Sequence, residues 1–263
     1  MNENKTDRPS LDEYDEEVVY PERYPNKVLT AIGKGIKWFF CGLAALVFVV
    51  MIWRINAMES LPRSMRTLTV TEATYQAYEA AQARGEQLEV LTQGEIDPIS
   101  TNDEAYGYFW VASSAIIPEA EQLQLVVRYN NSTLEHLASD FKLGEIPSRE
   151  EEVLALRLRV ISDATPEDPT DDDEPTAQTT EILLPTGEPT SAQQDVYNFR
   201  RYVFDGVSMG KDTIGLCVEF FYVGQEESEE PLAQLYVWYQ GAESKTVKLT
   251  KNDIKALNEF GEK

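Results

Sequence analysis

The chain has 263 residues and sets 46 acidic against 23 basic side chains, a formal charge of −23. A surface of that sign repels phosphate backbones and lacks the basic patch that a nucleic-acid binder needs, so nucleic acid is excluded as a partner. One histidine and two cysteines leave too few ligands for a His-rich metal site and too few thiols for a disulfide framework.

Residues 1 to 26 mix acids, prolines and three tyrosines (Tyr14, Tyr20, Tyr24) without apolar periodicity. Such a segment cannot bury enough apolar surface to repay its chain entropy, and a disordered acidic tail is expected over residues 1–34. Gly33-Lys-Gly35 lacks the Ser or Thr and the preceding strand of a phosphate-binding loop.

Residues 38 to 53 form one long uncharged apolar run with Trp38 and Trp53 at its ends. A hydrocarbon core of about 30 Å takes roughly 20 helical residues. Ile36 and Ile55 extend the run once Lys37 and Arg54 snorkel outward, and the two tryptophans stand where interfacial aromatics belong. A transmembrane helix in contact with membrane lipid is therefore expected over residues 35–56. Arg54 to Ser60 offers no small-x-small cleavage site, which favours an uncleaved anchor over a signal peptide.

Bases flank the run on both sides: Arg23, Lys27, Lys34 and Lys37 before it, Arg54, Arg63 and Arg66 after it. The denser cluster before the run, with a large folded module behind it, points to a cytoplasmic N-terminus and a cell-surface C-terminal domain. From residue 38 onward there are 38 acidic and 17 basic residues, a balance of −21.

Residues 57–67 read as a polar juxtamembrane linker containing Pro62, and 68–263 as one β-rich extracytoplasmic domain. Leu68 to Val70 suggests a short strand. Residues 72 to 84 suggest a helix with Thr71 as cap, Glu72 against the N-terminal dipole, Tyr75, Tyr78 and the alanines inward, and Gly85 as its stop. Leu88 and Val90 suggest a further strand.

From residue 105 the period changes to two. Leu123, Leu125, Val127 and Tyr129 alternate with polar residues, as do Leu154, Leu156, Leu158 and Val160. Residues 197 to 207, 214 to 223 and 232 to 240 behave similarly. Six or more half-buried antiparallel strands must close their apolar faces on one another, which predicts a mainly β fold: an antiparallel β-sandwich with two or three short helices, with an open barrel as the alternative. Ser132-Thr-Leu-Glu135 has the form of a capping box with Leu134, Leu137 and Phe141 on one face behind it. Thr250 opens a last helix with Ile254 and Leu257 directed inward, after a strand over Thr246 to Leu249.

Residues 164–194, rich in Pro, Thr, Asp and Glu, read as a long acidic surface loop. Its run of Asp168, Asp171, Asp172, Asp173 and Glu174 has prolines where a calcium loop needs alternating ligands and a glycine. No metal or cofactor is expected. His136 faces away from Leu134 and Leu137, Cys217 lies in a strand without a readable partner, and no Gly-x-Ser-x-Gly elbow occurs.

The aromatic residues carry the candidate binding site. Tyr106, Tyr108 and Trp110 share one face of a strand, and Tyr236 and Trp238 share the face opposite Leu235, Val237 and Tyr239. One set in each strand belongs to the core. The other is free to form a platform that stacks on sugar rings or anchors a partner. The expected function is a membrane-anchored binding or accessory module without catalysis, acting on a protein partner in the membrane or envelope. Carbohydrate or cell-wall binding is the alternative, and a hydrolase with a carboxylate pair is a third reading.

Overall fold

The computed structural model describes residues 27–93, 109–163, 178–225, 227–228, 230–241 and 244–262. The chain divides into two units, Met1–Ile55 and Asn56–Lys263. The sequence-based tail over 1–34 falls mostly outside the described residues, but its end does not: helix α1 (Lys27–Glu59) begins at Lys27. Within α1, Ala31–Ala57 is long and apolar enough to cross a membrane, with a mean hydropathy of 2.2 and none of its apolar window buried.

The second unit is mainly β. In chain order it comprises α2 (Arg63–Arg66), α3 (Glu72–Ala83), β1 (Val90–Gln93), β2 (Phe109–Ile117), β3 (Gln122–Asn130), α4 (Asn131–Asp140) and β4 (Leu154–Asp163). There follow β5 (Gln178–Leu183), β6 (Thr190–Gln194), β7 (Tyr197–Asp205), β8 (Thr213–Tyr222), β9 (Ala233–Tyr239), β10 (Ser244–Val247) and α5 (Lys251–Gly261). Among the described residues the strands form two antiparallel sheets, one in the order β10-β1-β2-β3-β7-β6 and one in the order β5-β4-β8-β9.

The period-two pattern explains the shared core. Leu123, Leu125, Val127 and Tyr129 of β3 are buried in one cluster with Leu154, Leu156 and Leu158 of β4, Leu216, Val218 and Phe220 of β8, and Leu235 of β9. Phe109 and Phe220 bring their rings to 4.8 Å from one sheet to the other. Tyr202 on β7 donates its hydroxyl to the Leu154 carbonyl at 2.9 Å, and burial pushes that phenol's pKa up.

The opposite face of β3 is buried as well, although its residues are polar. Gln122 and Gln124 are covered by α3 and by the segment before it. Thr74 Oγ1 donates to Gln122 Oε1 at 2.9 Å, and Gln122 Nε2 donates to Thr71 Oγ1 and Asp205 Oδ1. Gln124 donates to the Thr69 carbonyl and accepts from the Thr69 amide at 2.8 Å. Burial is tolerated because each amide group finds its partners.

Those bonds correct the expected strand at Leu68 to Val70. The segment is extended but joins no ladder: the Leu68 amide donates to Asp253 Oδ1 of α5 at 2.8 Å, and side chains replace a neighbouring strand. The polar linker expected over 57–67 also contains structure. Met65 in α2 is 2% exposed and packs with Val126 and Phe199, with Leu61 against them. The Arg201 guanidinium donates to the Met65 carbonyl at 2.6 Å and to Thr69 Oγ1, and burial lowers its pKa.

Three further expectations change. Residues 178–194 contain β5 and β6, each the edge strand of its sheet, while 164–177 lie outside the described residues. An edge strand needs no apolar face, so Thr, Gln and Ser suffice to build it. The cap of α4 is Asn130, two residues before the expected serine, with Asn130 Oδ1 accepting from the Thr133 amide and Thr133 Oγ1 accepting from the Asn130 amide. In α5, Thr250 caps as expected, but Ile254 is exposed and Asp253 takes the inward position beside Leu257. Asp253 is drawn in by the Thr250 amide and hydroxyl and by the Leu68 amide.

Candidate functional site

Helix α3 keeps its expected cap and stop, but Tyr75, expected inward, is only half-buried and donates its hydroxyl to the exposed Glu79 carboxylate, and Ala80 is exposed. Thr71 Oγ1 accepts from the Thr74 amide, Ala77, Tyr78 and Ala81 face inward, and Gly85 takes the left-handed conformation (φ 75°) that ends the helix. Beside it lies an open cleft of about 710 Å³, lined by Ala73, Ala77, Ala80, Pro118 and the Arg84–Glu119 ion pair. Trp110, Tyr236 and Trp238 do not border it.

Of the five aromatic candidates, Tyr106 and Tyr108 lie outside the described residues. The other three are not brought together. Trp110 sits on β2 opposite Arg128, on the side of the six-stranded sheet away from the shared core. Its ring meets that of Tyr197 edge to face at 6.3 Å, and the Arg128 guanidinium lies 5.0 Å from the Trp110 ring and 4.8 Å from the Tyr197 ring. A cation held between two rings stiffens the start of β2 and β7, each contact contributing about 0.5 to 2 kcal/mol.

Tyr236 and Trp238 do not share a face. The register of β8 with β9 is broken by a bulge, with Cys217 opposite Tyr236 but Leu216 opposite Trp238, so Val237 has no counterpart. One extra residue reverses the alternation beyond it. Trp238 therefore turns with Leu216 and packs against the shared core. Tyr239, opposite Gly215, returns to the outer side with Tyr236. Tyr236 is 40% exposed and Tyr239 50%.

Gly215 is the signal in the sequence that could have located this irregularity, since a glycine inside a strand marks a bulge or a close approach. A Cβ placed there would meet the Tyr236 ring at 3.3 Å. The ring thus lies against bare backbone.

Around it, the outer side of the four-stranded sheet is built from charge as well as rings. Glu219 is buried and accepts from Arg157 Nε at 2.7 Å and from Arg159 Nη1 at 2.9 Å, while Arg157 also lies 4.5 Å from the Phe221 ring. Two guanidiniums around one carboxylate hold that face together. Cys217, buried between them and Tyr236, has its thiol pKa pushed up by burial, so the thiolate is disfavoured.

The arrangement offers phenol rings and guanidinium edges for stacking and hydrogen bonding. His136 is exposed on α4. Glu219 and Asp253, the buried carboxylates, are each engaged by structural partners. Among the described residues, no group of three or more His, Cys, Asp or Glu side chains is placed to hold a metal ion. In comparisons with known proteins, no protein family, no curated protein and no solved structure matches the chain.

Proposed function

We propose that the protein is a single-pass, N-inside membrane protein whose β-rich unit, a β-sandwich, binds a protein partner outside the cytoplasm. The observation that carries this reading is the state of α1: within Ala31–Ala57 none of its apolar window is buried among the described residues. A helix that is apolar all round and left uncovered has a lipid environment as its natural solvent. Two sheets that share one core support the sandwich. Anchoring confines the unit to two dimensions and raises its effective concentration for neighbours in the same membrane.

The exposed Tyr236 and Tyr239 support the outer side of the four-stranded sheet as the contact surface. The same pair keeps carbohydrate binding as the second reading, since sugar rings stack on exposed aromatics. A photo-crosslinking side chain at position 239, activated in intact membranes, should capture a membrane or envelope protein. Capture of glycan alone would favour the second reading, and labelling indistinguishable from that at Lys211 would remove this face from the proposal.

A further inference from the structure

The first residues of the β-rich unit are tied to its sheet. Gln194 at the end of β6 donates its amide to the Ala57 carbonyl and to the Ser60 carbonyl, and Ser60 Oγ also donates to Ala57. The carbonyls at a helix end have no partner within the helix, and here a sheet residue supplies one. Leu61, Met65, Leu68 and Thr69 are then fixed in succession by packing or hydrogen bonds. Ala57 stands two positions beyond Ile55, about 3 Å of helical rise. Ala57 and Ser60, at the start of the β-rich unit, are thus bonded to the end of β6.

Gln194 precedes a two-residue turn, Asp195 and Val196, that leads into Tyr197. Asp195 is left-handed (φ 55°), and Val196 at the tip is 40% exposed. Arg149 holds the turn by donating to the Asp195 and Tyr197 carbonyls and to Asn198 Oδ1. It thereby ties in the loop that carries Ile146, which is 59% exposed. Behind Val196 stands the Trp110–Arg128–Tyr197 cluster. Exposed aliphatics backed by indole, phenol and guanidinium are the side chains that the headgroup layer of a bilayer accommodates.

We infer that this end of the β-rich unit, with Val196 and Ile146 foremost, is a lipid-contacting surface that rests in the headgroup layer of the membrane holding α1. The inference rests on the proposed anchor. Glu145, Glu150 and Glu151 border the same end, so the contact is apolar and interfacial rather than an attraction to anionic lipid.

The test uses the full chain in phosphatidylcholine vesicles. An environment-sensitive fluorophore is attached to the native Cys41, or, in a Cys41→Ser background, to Val196→Cys or Lys211→Cys. Lys211 is exposed beyond the far end of β7, roughly 30 Å along the strand from Tyr197. Nitroxides are placed either on the headgroup or deep in the acyl chain. The expected result is loss of Cys41 emission to the deep nitroxide and of position 196 emission to the headgroup nitroxide, with position 211 unaffected. Quenched Cys41 with equal headgroup quenching at 196 and 211, or with none at 196, overturns the inference and leaves the anchor standing. Cys41 emission that survives the deep nitroxide overturns the anchor and the inference with it.

Discussion

Val237 decides which rings β9 presents to solvent. Without the bulge, strict alternation would pair Tyr236 with Trp238 and send Tyr239 inward, as the sequence suggests. With it, Trp238 belongs to the core and Tyr239 to the surface. The two residues should therefore respond oppositely to truncation. Trp238→Ala should cost about 3 kcal/mol, the lower end for a large aromatic because the ring is half-buried. Tyr239→Ala should stay within about 0.5 kcal/mol. Urea unfolding of both variants measures this, and equal costs would mean that the bulge does not reset the face. Residue types and spacing reveal the alternation but not the register shift, because a bulge depends on the partner strand. Gly215 carries the local trace of it.

At the scale of elements, α3 and β4 were legible because their signals are local: a cap, a stop, or an unbroken alternation. The same holds for Thr250 as the start of the last helix, whereas its capping partner Asp253 was not read. What stayed hidden depends on distant residues. The segment 57–67 looks like a linker, and 68–70 like a strand, because their partners, Val126, Phe199, Arg201 and Asp253, come much later in the chain. β5 and β6 are hidden for another reason: as edges they expose most of their side chains and so lack an apolar period. A fragment of residues 68–263, the unit suggested by sequence, lacks Met65 and should be less stable than 56–263 by about 2 to 5 kcal/mol, the cost of emptying a buried methionine site. Thermal unfolding of the two fragments decides it, and equal midpoints would show that Met65 contributes nothing to the core.

The whole molecule combines a helix with exposed apolar side chains and a unit whose surface is strongly acidic. Composition alone made that division visible. Orientation is a matter of four bases against three. The proposed N-inside arrangement predicts that protease added to intact cells removes the β-rich unit and leaves a protected fragment of roughly 55 residues, set by the thickness of the bilayer. Immunoblotting with an N-terminal tag reads the outcome, and a protected β-rich unit would reverse the orientation. The proposed contact surface was less legible than the division, since it requires knowing which of several tyrosines the sheet leaves outside.

The bond between the Leu68 amide and Asp253 joins residues 185 positions apart. Its neighbours repeat the theme: β1 pairs with β10 through Val90 and Val247, and Leu257 packs with Ala77 and Ala81 of α3. During synthesis the ribosome delivers these partners long after the segments they bind. Until Asp253 and Leu257 have been made, the first residues after the apolar helix have an unfilled amide and an uncovered helix face. Closure of such distant contacts is slow compared with local ones. The earliest-made part of the β-rich unit is therefore late to settle, and the nascent chain passes through a stage in which its sheet is only half covered and its own acidic charge is what keeps other chains away.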